Sequence, residues 1–240
     1  ILSGAEVTTF AELEEYVRLA ASLKWFQKIQ IQTNGRRLSD PGYLERVIRC
    51  GVNEFFVSMH GFEKTHDNTT GVAGSFIQTQ NGLRNLSRFD VNVISNTVLT
   101  RHNFSEIGAF VRFLSGECVS EIHLWNYFPM ESPDRQDLLV CFKDLCRFLP
   151  ELQKIVAGAG KVLVLKGFPL CLPAEPPLYF DNVFPVTVLP DRFWKEFEKC
   201  GFGSCIYRDQ GACPSRECWG LSSAYLRKYG NEKGLLKPLE

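Results

Sequence analysis

Lys28-Ile-Gln-Ile-Gln-Thr-Asn-Gly35, then Asp40-Pro41, Gly51 and Glu54-Phe-Phe-Val-Ser-Met59, read in order as strand, helix and strand. In the first run two isoleucines alternate with polar residues, the period of an extended chain. Asp40 before Pro41 predicts a helix start, because the carboxylate caps the exposed N–H groups and proline suits the first helical position. Gly51 is placed to end that helix. Two strands joined through a helix are the unit of a parallel sheet.

The pattern extends in both directions. Ile1 to Ser3 reads as the end of a strand, and Thr9-Phe-Ala-Glu12 as a capping box before Phe10, Leu13, Val17 and Ala20 or Ala21 at helical spacing. Downstream, a polar loop from His60 to Gly74 leads to Ser75, which caps a helix to about Ser87. Val91–Val98 is a strand, Ser105–Leu114 a helix, Glu121–Asn126 a strand, about Asp137–Val156 a helix and Val162–Lys166 the last clear strand. Strand starts about 26 to 41 residues apart fit successive βα units. They predict an α/β fold, and periodicity alone does not choose between a full or partial (β/α) barrel and an open doubly wound sheet. After Gly167 the style changes: Pro169, Pro173, Pro176, Pro177, Pro185 and Pro190 interrupt regular structure, and cysteines accumulate. The expected organisation is a core over 1–167 and a Cys-rich extension over 168–240.

Composition narrows the function. Lys plus Arg and Asp plus Glu are 27 each, so no net field favours nucleic acid or an acidic membrane. No apolar run is long enough to span a bilayer and nothing at the start reads as a signal peptide, so the expected setting is the reducing cytoplasm. No Gly-x-Ser-x-Gly elbow or phosphate-binding Gly-Lys-Ser/Thr signature is found.

Ligands of parallel α/β sheets bind where strands end. Those ends read Ser3-Gly-Ala-Glu-Val-Thr8, Gln32-Thr-Asn-Gly35, Ser58-Met-His-Gly61, Asn96-Thr-Val-Leu-Thr-Arg101 and Trp125-Asn126. Small residues let backbone approach a ligand, Glu6 offers a carboxylate to a cationic group, and Thr33, Ser58 and Asn96 offer hydrogen bonds. Each fragment alone is an ordinary turn; their order on successive strands is what carries information. The aromatic run His123-Leu-Trp-Asn-Tyr-Phe-Pro129 is either barrel core or the wall of a substrate pocket.

In that order the fragments resemble the radical S-adenosylmethionine (SAM) enzymes. Ser3-Gly-Ala-Glu6 is similar to the family's Gly-Gly-Glu loop, Gln32-Thr-Asn-Gly35 and Val57-Ser-Met-His60 to the next two strand ends, and His66-Asp-Asn-Thr-Thr-Gly-Val-Ala-Gly-Ser-Phe76 to the loop entering its fourth helix. Asn96 through Asn103 looks like the fifth strand and its exit. Ala5 and Val7 depart from the usual glycine and proline. The resemblance covers about Ile1–Asn126 and implies a partial parallel, TIM-barrel-like core with an irregular Cys-rich C-terminal extension. It further implies an enzyme that reductively cleaves SAM to a 5′-deoxyadenosyl radical and abstracts substrate hydrogen, in peptide, cofactor or natural-product modification. SAM would meet Ser3, Gly4, Ala5, Glu6, Thr33, Asn34, Ser58, His60, Asn96 and Arg101. The catalytic [4Fe–4S] cluster's Cys-x3-Cys-x2-Cys motif is expected upstream of Ile1, since nothing in the chain has that spacing, and a flavodoxin or ferredoxin would supply electrons.

Of nine cysteines, Cys50, Cys118, Cys141 and Cys146 read as small buried hydrophobes. Cys200, Cys205, Cys213 and Cys218, among Gly201, Gly203, Gly211 and Pro214, form a second candidate site, for an auxiliary [4Fe–4S] cluster or for zinc, since both favour thiolates. Cys171, behind a proline-rich stretch, is a further candidate ligand. The rival reading is a non-catalytic α/β binding or scaffold domain with a structural zinc site made of four cysteines.

Overall fold

The computed structural model describes residues 1–130, 133–173, 178–183 and 191–239, apart from the side chain of Arg192. Of the interrupting prolines, Pro176, Pro177, Pro185 and Pro190 lie outside the described residues. The elements are α1 (Leu13–Ser22), β1 (Gln30–Thr33), α2 (Pro41–Cys50), β2 (Glu54–Ser58), α3 (Glu63–Thr70), α4 (Ser75–Leu86), β3 (Asn92–Leu99), α5 (Arg101–Phe104), α6 (Ile107–Gly116), β4 (Glu121–Asn126), α7 (Phe142–Gly158), β5 (Val162–Lys166), β6 (Tyr179–Phe180), α8 (Asp191–Glu198), α9 (Ile206–Asp209) and α10 (Ser223–Tyr229). Short 3-10 turns occupy Val7–Thr9 and Arg36–Ser39.

The six strands form one parallel sheet in the order β1-β2-β3-β4-β5-β6. A doubly wound sheet reverses its strand order at a switch point. This sheet does not, so the winding is that of a partial (β/α) barrel. Leu2 extends the first edge as a parallel bridge to Ile31, its N–H donating to Gln30 O at 2.7 Å and its carbonyl accepting from Gln32 N at 3.0 Å.

The chain divides into two compact units, one of Ile1–Thr97, Ala109–His123 and Ile155–Val162, the other of Val98–Gly108, Leu124–Lys154 and Leu163–Glu240. In the first, register aligns Ile31 with Phe55 and Phe55 with Val93. These buried residues share the apolar core with Leu44, Val47, Leu83 and Phe110. The alternate row, Gln30, Glu54 and Asn92, is polar. Glu54 accepts from Gln30 Nε2 at 2.8 Å, Asn92 Nδ2 at 2.6 Å and Lys28 Nζ at 2.7 Å. Burial would raise the Glu54 carboxyl, but the bonds from Lys28, Asn92 and Gln30 outweigh it and hold it below the usual carboxylate range. In the second unit, Tyr225 stacks on Phe142 at 4.3 Å, accepts from Phe142 N at 2.7 Å and donates to Glu232 at 2.5 Å.

Several expectations change in the structure: β6 follows the expected last strand, and α5 precedes the helix expected from Ser105, which begins at Ile107. The helix expected from Thr9 starts at Leu13, because Val7–Thr9 forms a 3-10 turn whose cap is Glu6; Thr9 Oγ1 donates to Glu6 O at 2.8 Å instead of capping α1. The polar stretch His60–Gly74 contains α3. The helix expected from Asp137 begins at Phe142, since Asp137 sits at φ 56°, outside helical geometry. Gly74 occupies the cap position of α4 assigned to Ser75. The cap at Asp40 is as expected, with Oδ1 accepting from Gly42 N at 2.9 Å and Tyr43 N at 3.2 Å.

α4 lies against the turn that follows β1. Gly82 approaches it so closely that a Cβ there would fall 2.5 Å from Gly35 O. Gly82→Ala is expected to destabilise the fold by about 1–3 kcal/mol, the usual cost of overpacking, seen as a lower urea midpoint. An unchanged midpoint would show that this approach is not tight.

Candidate functional site

The expected site residues from Ser3 to Asn96 all lie in the first unit. Glu6 joins the first two strand ends. Its Oε1 accepts from Thr8 N at 3.1 Å, Thr8 Oγ1 at 2.6 Å and Thr33 Oγ1 at 2.7 Å, and its Oε2 accepts from Asn34 N at 2.7 Å. Ser3, Gly4 and Ala5, just before it, are exposed, and a Cβ on Gly4 would meet nothing within 4 Å. Among the described residues nothing donates to their three carbonyls. This loop borders a recess of about 570 Å³ whose other wall includes Phe10, Leu13 and Tyr16.

The second strand end is held rigidly. Thr33, buried, donates to Glu6 and accepts from Gly35 N at 3.1 Å. Asn34 Oδ1 accepts from Arg36 N at 3.0 Å, and its carbonyl accepts from Thr79 Oγ1 of α4 at 2.8 Å. Gly35 has φ 74°, and a Cβ there would lie 2.8 Å from Val57 Cγ1, so the Thr-Asn-Gly turn needs its glycine for both conformation and space.

At the third and fourth ends, Met59 N donates to Asn96 O at 2.8 Å and Thr97 Oγ1 to Met59 O at 2.7 Å. Ser58 is part-exposed and paired in register with Asn96. Asn96 is only 7% exposed, yet its Oδ1 has no hydrogen-bond partner. A buried acceptor with no protein partner is ordinarily met by water or by a ligand's donor.

The His66-to-Phe76 stretch organises this edge from behind. Asp67 Oδ1 accepts from Phe76 N and Ser75 Oγ, both at 2.9 Å, and Oδ2 from Gly74 N at 2.5 Å, capping α4 from a distance. The Phe76 N–H bond, foremost, holds the Asp67 carboxyl below its ordinary range. His66 Nδ1 accepts from His60 N at 3.0 Å, which assigns the neutral ring's proton to Nε2, an atom without a partner. Burial pushes His66 down to about 4, and burial with the neighbouring His66 does the same to His60. This motif therefore shapes the edge; the residue legible only as part of a family pattern is the one that fixes the backbone of His60.

The remaining candidates belong to the second unit. Arg101 opens α5, donates its N–H to Leu138 O at 2.9 Å and pairs with Asp137 at 3.1 Å. Cys200 is buried with its Sγ 3.6 Å from Met130 Sδ. Cys218 Sγ accepts from Leu170 N and Gly220 N, both at 3.4 Å. Burial, then the nearby Cys218 and Cys205, pushes the Cys171 thiol up to about 11. Cys205 precedes α9, and Cys213 N donates to Tyr207 O at 3.1 Å. Among the described residues no group of three or more His, Cys, Asp or Glu side chains is gathered to hold a metal ion, and no helix is long and apolar enough to cross a membrane.

Residues 1–114 match the family described as the Radical SAM superfamily. The chain is 32% identical over 108 residues to an AdoMet-dependent heme synthase of Methanosarcina barkeri, covering 45% of the chain and 30% of that protein. It is 24% identical over 219 residues to a 7,8-dihydro-6-hydroxymethylpterin dimethyltransferase of Methanocaldococcus jannaschii, covering 87% and 41%. Over 133 residues it is 30% identical to a protein of Saccharolobus islandicus named "Probable GTP 3′,8-cyclase", covering 54% and 41%. The chain thus spans less than half the length of these relatives.

His60 and His66 make a pH prediction. Their folded values of about 4 lie below the ordinary 6.5, so between these limits the unfolded chain binds protons that the folded chain refuses. Stability should fall as pH drops from about 6.5 towards 4. In His66→Gln, whose amide oxygen can still accept from His60 N, urea unfolding across that range should show a shallower slope; an unchanged slope would contradict the assignment.

Proposed function

We propose, from the premise that residues 1–114 belong to the radical SAM superfamily, that this edge binds SAM as part of an enzyme that cleaves it reductively and abstracts hydrogen from a substrate. The observation that carries the reading is the buried, unpartnered Oδ1 of Asn96, on the same edge as Ser58 and the loop Ser3–Glu6. An acceptor there suits a hydroxyl or amine donor of the ligand. The unbonded carbonyls of Ser3, Gly4 and Ala5 suit the three N–H donors of an ammonium. Ser58 and His60 complete the ligand's surroundings, and Thr33 and Asn34 hold the turn beside it.

The described residues gather no ligand set for the catalytic [4Fe–4S] cluster, whose cysteines we assign to sequence outside Ile1–Glu240; reductive cleavage of SAM is the chemistry that cluster supplies. This chain's part is to bind, orient and shield. The relatives named above are named for heme synthesis, for methylation of a pterin and for cyclisation of GTP, which supports a cofactor-type or other small molecule over a peptide. A flavodoxin- or ferredoxin-type donor and a cytoplasmic setting complete the proposal.

We retain 1–167 as the core and 168–240 as an extension with an auxiliary Fe–S site drawn from Cys200, Cys205, Cys213 and Cys218. The two peptide N–H bonds to Cys218 Sγ support it, because hydrogen bonds to the ligating sulfurs are a feature of Fe–S sites. Metal binding would draw the other thiols in, as ligation and local folding are coupled. Iron and sulfide analysis of anaerobically purified protein should show more than one cluster's worth; zinc alone would defeat the auxiliary cluster.

The full-length protein, reduced and supplied with SAM, should yield 5′-deoxyadenosine and methionine. Asn96→Ala should weaken SAM binding roughly fivefold, the value of one lost hydrogen bond. Absence of 5′-deoxyadenosine from cluster-loaded protein would overturn the proposal.

A further inference from the structure

The sequence offers Glu6 as a partner for the ligand's ammonium, but its hydrogen bonds point elsewhere. Four donors from this chain converge on its carboxylate, Thr8 N, Thr8 Oγ1 and Thr33 Oγ1 on Oε1 and Asn34 N on Oε2, at 2.6 to 3.1 Å, so the bonds it accepts go to the chain's own segments. Two belong to the turn after Glu6, one to the last residue of β1 and one to the residue that follows it. The carboxylate therefore closes a link between segments 27 and 28 residues apart in sequence. Asn34 continues the chain of contacts through its carbonyl to Thr79 of α4. Asp67 caps α4, and the adjacent His66 fixes His60 N at the third strand end.

We propose that Glu6 is a positioning residue: its carboxylate straps the first strand-end loop to the second, and so sets where the open carbonyls of Ser3, Gly4 and Ala5 face. The ligand's ammonium meets those carbonyls and not the Glu6 side chain. This rests on the reading of the edge as a SAM site, yet the strap exists in the chain without ligand and is testable there. The two roles differ in one respect. A direct ion pair acts only on a ligand that has the ammonium, whereas a strap acts on any ligand that touches the loops.

Two measurements decide it. The first is equilibrium binding of SAM, and of a SAM analogue lacking the α-amino group, to full-length cluster-loaded protein. Glu6→Gln should weaken both by the same factor, on the order of tenfold given the charge-assisted bonds lost. Thr33→Val should do likewise, Thr33→Ser should recover binding, and Glu6→Gln with Thr33→Val should be no worse than the weaker single variant, because both cut one link. The second is hydrogen exchange of the Asn34 amide without ligand, which should quicken in Glu6→Gln. Loss confined to SAM with the analogue unaffected, additive losses in the double variant, or an unchanged Asn34 amide would each overturn the strap. If the wild-type protein binds neither ligand, the SAM reading fails while the Asn34 exchange still decides the strap.

Discussion

The close approach of α4 to the turn after β1 is the constraint on which the candidate site depends. Gly35 turns at a positive φ with no room for a side chain, Gly82 lets the helix backbone come against its carbonyl, and Thr79 bonds the carbonyl of Asn34. A turn fixed in this way presents the Asn34 N–H to Glu6 at 2.7 Å. The first loop then acquires its position from the second, and the second from a helix far along the chain. Sheet winding brings the loops to one edge; these side-chain links determine their shape there.

The alternation of strand and helix was legible because buried apolar positions recur at the strand and helix periods and because Asp40, Pro41 and Gly51 mark element ends locally. The missed features are those decided at a distance. Glu6 caps a 3-10 turn that delays α1, which no local pattern around Thr9 announces. Asp67 caps α4 from seven residues before Gly74, so the sequence pointed to Ser75 instead. α3 is short, polar and built mainly of Glu63-Lys-Thr-His-Asp-Asn-Thr-Thr70, residues that read as loop by composition. The choice between barrel and doubly wound sheet needed the strand order itself.

For the site, residue identity was easier to read than residue role. Glu6, Thr33 and Asn34 belong together, as their order along the strand ends suggested, but they satisfy one another. Asn96 shows the opposite case: a buried polar atom with nothing to bond, a property visible only in three dimensions. Among the cysteines, Cys171 lies within electrostatic reach of Cys205 and Cys218, and Cys200 is packed on Met130. Spacing in sequence could not distinguish these environments, because the extension has little periodic structure to orient its loops.

The central claim is that the edge formed by Ser3–Glu6, Thr33–Gly35, Ser58–His60 and Asn96 receives SAM. Its most direct test is the amide-exchange footprint of SAM on the cluster-loaded full-length protein. The account predicts protection concentrated in peptides covering those four segments, with the polar row at Gln30, Glu54 and Asn92 unchanged. Protection absent from the four segments, or concentrated elsewhere in the chain, would contradict it.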